Sequence, residues 1–228
     1  MLRRWGHARR CQRRARHCSN SVIANYLEAC AVLEPDQPGN TPMIAVDLEL
    51  TGLDHRKDRI IAIGWTLIDE GKIRFGSNRQ VLISTGQSVG PSAEIHEMLD
   101  SELAGGERIE QGLEALFRAG TGRLWLFHHA RLDLAFLRAA VQAWTGTKPG
   151  FIVLDTLDIE KRQRLRRNVP PRQGQLQLGR LRSEYRLPPY PGHNALNDAI
   201  ATAELALAMA ARAQSGGALE LRRYRRYF

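Results

Sequence analysis

Asp47 and Glu49 stand one residue apart in the apolar run MIAVDLEL, residues 43–50. In an extended strand, positions two apart share a face, so both carboxylates point the same way and Leu48 points opposite. Like charges this close repel, and at a sheet end they also lose water. A lysine, a shared proton or a metal ion could compensate them. Two further acids are placed suggestively. Asp133 lies in RLDLAFL, and Asp198 lies in HNALNDAIATAEL, five residues after His193. None of these short segments contains lysine. Four carboxylates brought to one place cannot all stay ionised without cations. A hard divalent ion held through oxygen is the simplest compensator, and Mg²⁺ typically takes a few carboxylates plus phosphate oxygens. The spacing therefore predicts that Asp47 and Glu49 share a face because they share a metal.

Such a site needs elements that bring the acids together. Residues 43–49, 59–69 and 72–83 read as strands, the last two joined by a turn at Glu70-Gly71. A helix is predicted over about 107–118, with Ile109, Leu113, Leu116 and Phe117 on one face. RLWLFHH reads as a strand, RLDLAFLRAAVQAW as a helix and FIVLDTL as a short strand. The last strong element is the helix ALNDAIATAELALAMAARA. Hairpin strands followed by strand–helix alternation imply an α/β fold, a mixed sheet with helices on its faces. In such open sheets, strand ends and the helix starts beside them converge on one crevice. Asp133 and Asp198, each in the first turn of a predicted helix, would meet Asp47 and Glu49 there.

The chain has 228 residues, 33 Lys and Arg against 24 Asp and Glu, and a formal net charge of +9. That excess implies a polyanionic partner, with nucleic acid first and an anionic membrane surface second. Cys11, Cys18 and Cys30 are too few and too irregular for a disulfide framework, which fits a reducing compartment. No apolar run is long enough to span a membrane. Residues 1–20 carry no apolar core of a secretory signal. The organisation read from composition is a basic N-terminal extension and linker over 1–40, a catalytic domain over 41–215 and a basic aromatic tail over 216–228. A short helix is expected in VIANYLEACAVL, before the linker EPDQPGNTP.

Three ordered motifs then resemble one family. DLELTGLD is similar to the first motif of the DEDD exonuclease superfamily, Asp-x-Glu-Thr-Thr-Gly. HHARLDLAFL resembles the second motif, and HNALNDAIATAEL the third, with the histidine five residues before the aspartate that marks the DEDDh branch. AEIHEML and VLDTL also look like segments of the proofreading type, similar to the epsilon subunits of bacterial DNA polymerase III. The resemblance covers about residues 43–210. It implies a ribonuclease H-like fold, a five-stranded mixed sheet flanked by helices, and a 3′–5′ exonuclease using two divalent cations, Mg²⁺ or Mn²⁺. By the same resemblance, Asp47 bridges both ions and Glu49 and Asp198 hold the one that carries the attacking water. Asp133 supports the second ion, and His193 acts as general base or positions the water. Leu50, Thr51, Gly52, His96 and His129 would meet the terminal nucleotide. Leu50 replaces a usual threonine, His129 a usual asparagine, Leu132 a usual phenylalanine and Glu97 a common glycine. These departures bear on substrate more than on chemistry.

The expected substrate is the 3′ end of single-stranded DNA, released as nucleoside 5′-monophosphates, alone or beside a DNA polymerase or repair partner. RNA or oligoribonucleotide ends are the alternative, and a catalytically idle nucleic-acid-binding protein is the reading from another class. The arginines between Lys161 and Arg186 would track phosphates or form a solvated face. Arg222, Arg223, Arg225 and Arg226 alternate with Tyr224, Tyr227 and Phe228, which suits either single-strand binding or docking of the tail. The acid-free arginines of residues 1–27 have a mitochondrial presequence as the alternative to a cytoplasmic location. A zinc site from His7, Cys11, His17 and Cys18 matches no common finger spacing.

Overall fold

The computed structural model describes residues 2–36, 39–84, 105–214 and 221–228. Its centre is a mixed sheet. Strand β1 (Met43–Leu50) pairs antiparallel with β2 (Ile60–Asp69), and β2 pairs antiparallel with β3 (Lys72–Leu82). The β2–β3 turn is Glu70-Gly71, with φ of 52° and 69°. Both residues are left-handed, as a two-residue hairpin needs if its twist is to match the strands. On the other side of β1 lie β4 (Leu124–Phe127) and then β5 (Ile152–Asp155), both parallel to it. Every residue of β4 is apolar and buried, as an inner parallel strand covered on both faces requires.

These are the five expected strands. A sixth, β6 (Arg226–Tyr227), pairs antiparallel with β5 and gives the order β3-β2-β1-β4-β5-β6. Phe151 and Phe228 exchange backbone hydrogen bonds at 3.0 and 2.9 Å, which seals that edge. Of the two roles open to the basic aromatic tail, the geometry is that of docking. The short helix α8 (Leu221–Tyr224) buries Leu221 and Tyr224, Arg225 donates to the Pro35 carbonyl, and Arg166 donates to the Tyr224 hydroxyl.

Helices α3 (Ile109–Gly120), α4 (Ala130–Thr145) and α7 (Ala195–Gln214) match the three long predicted ones within a few residues, and α5 (Thr156–Arg166) and α6 (Leu178–Glu184) fill the stretch between β5 and α7. The N-terminal segment forms α1 (Leu2–His17) and α2 (Ser21–Val32). On α1, His7, Cys11 and Ala15 are buried at a spacing of four, while the arginines take the other faces. Asn20 caps α2 by accepting the Ile23 N–H at 3.1 Å. Tyr26 of α2 enters an aromatic cluster, 4.8 Å from Phe117 and 5.7 Å from Trp125, and its hydroxyl donates to the Gly150 carbonyl at 2.9 Å. Burial of a side chain this size stabilises by roughly 1.5–3 kcal/mol. Residues on both sides of 41–215 thus pack on the same core. Among the described residues, no helix is long and apolar enough to cross a membrane.

Candidate active site

The acids converge where β1 ends. Asp47 and Glu49 share a face, and Leu48 between them is buried on the other. The register with β2 shifts between Glu49 and Leu50, a bulge that ends regular pairing just past the acids. Thr51 and Gly52 follow in a loop tied by Asp58, which accepts from the Thr51 hydroxyl at 3.4 Å and from the Asp54 N–H at 2.8 Å. A Cβ on Gly52 would stand 2.4 Å from the Asp58 carboxylate, so a side chain there would displace Asp58 from its bonds to Thr51 and Asp54.

Asp198 reaches the pair because α7 lies directly on the sheet. Asp47 is in register with Gly64 of β2, and Gly64 with Gln80 of β3. A Cβ on Gly64 would come within 2.1 Å of the Ala195 carbonyl carbon. Only a glycine there lets the first turn of α7 settle above Asp47. Gln80 then holds that turn, accepting the Leu196 N–H at 3.1 Å. Oxygens of Asp47, Glu49 and Asp198 lie within 4.8 Å of one another.

Asp133 arrives on α4. The backbone N–H groups of His129 and Ala130 both donate to the Asp155 carboxylate at 3.0 Å. Asp155 also caps α5 through the N–H of Leu157. One acid at the end of β5 thus fixes two helix starts and, through α4, the position of Asp133. Sequence reasoning missed this role, although an aspartate closing a strand before a helix is a capping signal. His129 has φ of 73°, a left-handed conformation that asparagine and histidine enter more readily than most residues. Its side chain is exposed beside the site. Its neighbour His128 is structural, bonded to the Thr156 hydroxyl at 2.7 Å and the Leu176 carbonyl at 2.9 Å.

His193 sits at the rim. Its side chain is exposed, its φ is 64°, and its backbone N–H donates to Asp198 at 3.1 Å. Asn194 supports the turn by accepting the Asn197 N–H. The loop that carries His193 is pinned by Arg182, which is 2% exposed. Its guanidinium donates to the carbonyls of Ala201 and Pro188 and to Glu204, and it lies 4.7 Å from the Tyr190 ring. Arg162 and Arg164 are likewise held in ion pairs with Asp158, Glu160 and Glu184. Much of the arginine run therefore braces the fold. Asp198, His193, Tyr190 and Leu187 line a cleft of about 590 Å³. His96 lies outside the described residues.

The electrostatics follow from this crowding. Burial pushes Asp47 well above the ordinary carboxylate range, and Asp133, Asp198 and Glu49 push it further. Burial, then Asp198 and Asp133, raise Glu49 to about 8. Burial raises Asp133 to about 7, against hydrogen bonds that include one from the Leu48 backbone. Asp198 is raised by burial and eased by His193 and Arg182. A set of oxygen donors that cannot all be anionic together fits a hard divalent cation.

A family model described as exonuclease, of the RNase T type, matches residues 44–206. The PolC-type DNA polymerase III of Thermotoga petrophila is 28% identical over 169 residues, 74% of this chain and 12% of the relative. The 3′–5′ exonuclease DinG of Staphylococcus haemolyticus is 27% identical over 168 residues, 73% of this chain and 18% of the relative. The chain thus spans less than a fifth of these curated relatives. Exonuclease I of E. coli in complex with a dT13 oligonucleotide superposes with a TM-score of 0.62 at 16% identity, covering 77% of this chain and 42% of that one. Pop2p of S. pombe, in an Mg²⁺- and Mn²⁺-bound form, gives 0.60 at 18% identity over 78% and 86%. Both share the fold.

Proposed function

This chain belongs to the exonuclease family, and on that footing we propose that it removes nucleotides from 3′ ends of single-stranded DNA, releasing nucleoside 5′-monophosphates with the help of two divalent cations, Mg²⁺ or Mn²⁺. The observation that carries the reading is the meeting of Asp47, Glu49 and Asp198 oxygens within 4.8 Å, with the backbone N–H of His193 donating to Asp198 at the rim. Asp47, Glu49 and Asp198 would hold the cations, with Asp133 in support. Bound there, the cations would activate water and stabilise the oxygens of an in-line displacement at phosphorus.

The remaining work belongs to the chain. His193, exposed at the rim and tied to Asp198, takes a proton from the attacking water. Leu50, Thr51, Gly52 and His129 flank the acids and meet the terminal nucleotide. Asp155, Gly64, Gln80 and Arg182 act one step back, by fixing the helix starts and the loop on which the acids and His193 ride. The choice of DNA over RNA rests on the name of one relative, a DNA polymerase, and on the dT13 bound to Exonuclease I. A DNA polymerase or repair complex is the partner this suggests, and the cytoplasm the compartment.

Matched 5′-labelled DNA and RNA oligomers test the proposal. Mg²⁺ should give a ladder shortening from the 3′ end on DNA, chelator should abolish it, and Asp47→Ala should remove it while the circular dichroism stays that of the folded chain. Full activity in chelator or in Asp47→Ala would overturn the assignment. Faster cleavage of RNA would move the substrate to the alternative class.

A further inference from the structure

A second cluster lies at the opposite end of the sheet's parallel strands, around Gly150 just before the amino end of β5. His7 and Cys11 face the same way from successive turns of α1, and Cys30 comes to them from α2. His7 Nε2 is 3.4 Å from Cys11 Sγ and 3.4 Å from Cys30 Sγ. All three donor atoms lie within 4.8 Å of one another. The residues are 2%, 0% and 5% exposed. We propose that His7, Cys11 and Cys30 form a binding site for Zn²⁺, separate from the acidic site and unlike it in chemistry.

The geometry carries the assignment. Zinc bonds of about 2.3 Å to sulfur and 2.0–2.1 Å to nitrogen, at a tetrahedral angle, put N···S edges at about 3.5 Å. The two measured edges are 3.4 Å, so the ligands need little movement. A His-x₃-Cys pair on one helix face presents two ligands to one ion, as i, i+4 ligands do elsewhere. Thiolate and imidazole donors select zinc-like ions, whereas the oxygen-only cluster of Asp47, Glu49 and Asp198 suits Mg²⁺ or Mn²⁺. Space is kept for the site, because a Cβ on Gly150 would stand 2.6 Å from Cys11 Sγ. The Gly150 carbonyl oxygen lies 3.7 Å from Cys30 Sγ and already accepts the Tyr26 hydroxyl at 2.9 Å, so the three side chains supply the protein's ligands. Binding turns two thiols into thiolates and releases their protons to solvent.

Such an ion would staple α1 to α2 and both to the C-terminal edge, where the Tyr227 ring lies 5.1 Å from His7. The mismatch with finger spacing found for His7, Cys11, His17 and Cys18 does not bear on this set, because Cys30 reaches the pair from α2 and not through a local knuckle.

Cobalt titration of the reduced, chelator-treated full chain, in excess Mg²⁺, tests the site. Only sulfur ligands give a thiolate-to-cobalt charge-transfer band, so cobalt held by Asp47 and its neighbours is silent there. The band should saturate at about one cobalt per chain and bleach on adding Zn²⁺. Zinc should also raise the melting temperature of wild type. Cys30→Ser should weaken the band or abolish it, and Cys18→Ser, whose sulfur bonds the Asn20 carbonyl instead, should keep it. A reduced wild-type chain that shows no band overturns the proposal, whether or not Cys11 and Cys30 prove to be joined as a disulfide before reduction. Loss of the band in Cys18→Ser but not in Cys30→Ser overturns it as well.

Discussion

Metal-free protein should lose stability as pH rises from about 5 to 9, and the share carried by Glu49 can be isolated. Its folded carboxyl is raised from 4.5 to about 8, by burial first and then by Asp198 and Asp133. A raised carboxyl binds its proton more tightly in the folded state than in the unfolded one. Its contribution to stability is therefore complete below about pH 4.5 and is lost as pH climbs through about 8. At about 1.4 kcal/mol per pH unit, the loss for Glu49 is on the order of 5 kcal/mol. For a chain of this size, that is a fall of roughly 10–20 °C in melting temperature. Glu49→Gln removes the titration while keeping the shape. In EDTA its melting temperature should match wild type near pH 5 and exceed it near pH 8–9 by about that margin. Saturating Mg²⁺ should reverse the order, because only wild type gains the full cation-binding energy. Thermal melts by circular dichroism across the range, with and without Mg²⁺, decide it. Parallel wild-type and Glu49→Gln curves in EDTA would refute the account of a mutually repelling, metal-demanding cluster.

His193→Ala should lower turnover by roughly 10²–10⁴, while Mg²⁺ binding by calorimetry persists. Unchanged turnover would assign the proton to another group. Gly64→Ala forces a Cβ to within 2.1 Å of the Ala195 carbonyl carbon, so α7 must lift and carry Asp198 with it. Turnover should fall at least as far as in His193→Ala, with weakened Mg²⁺ affinity, and wild-type kinetics there would show that α7 does not rest on that glycine. Deleting residues 221–228 removes β6 and the buried Leu221 and Tyr224. The melting temperature should drop while the slope of log affinity against log salt for long single strands stays put. A shallower slope, by roughly 0.7 for each lost phosphate contact, would return the tail to nucleic-acid binding.

What the sequence made legible was local. Asp47 and Glu49 share a face because strand periodicity is two, and that holds in β1 whatever packs around it. His193 and Asp198 stand at the start of one helix, so five residues of spacing were enough to pair them. The hairpin turn at Glu70-Gly71 was readable because glycine there permits the left-handed pair. What stayed hidden were contacts between segments far apart. The Gly64–Ala195 approach spans two elements, and Gly64 in the run IIAIGW looks only like a weak point in a strand. Asp155 reaches back 25 residues and more to cap α4, while its visible local role is the cap of α5. Strand β6 has two residues and no pattern of its own, so its existence depends on the edge that β5 leaves open.

The same logic explains why the site is crowded to begin with. The four acids are delivered by three devices: Asp47 and Glu49 by the alternation of β1, Asp133 by the Asp155 cap of α4, and Asp198 by a glycine beneath the first turn of α7. None of these devices is itself an acid-binding contact for Asp47 or Glu49, and each would hold its carboxylate in place with the others absent. The fold therefore does not relax to separate the charges. Burial first, and at Asp47 and Glu49 the neighbouring acids after it, raise the proton affinity of Asp47, Glu49 and Asp133. A divalent cation is the ligand best able to exchange for those protons, since it needs the oxygens close and already stripped of water. Preorganisation by elements that answer to their own local chemistry is thus what the proposed cation site would rest on.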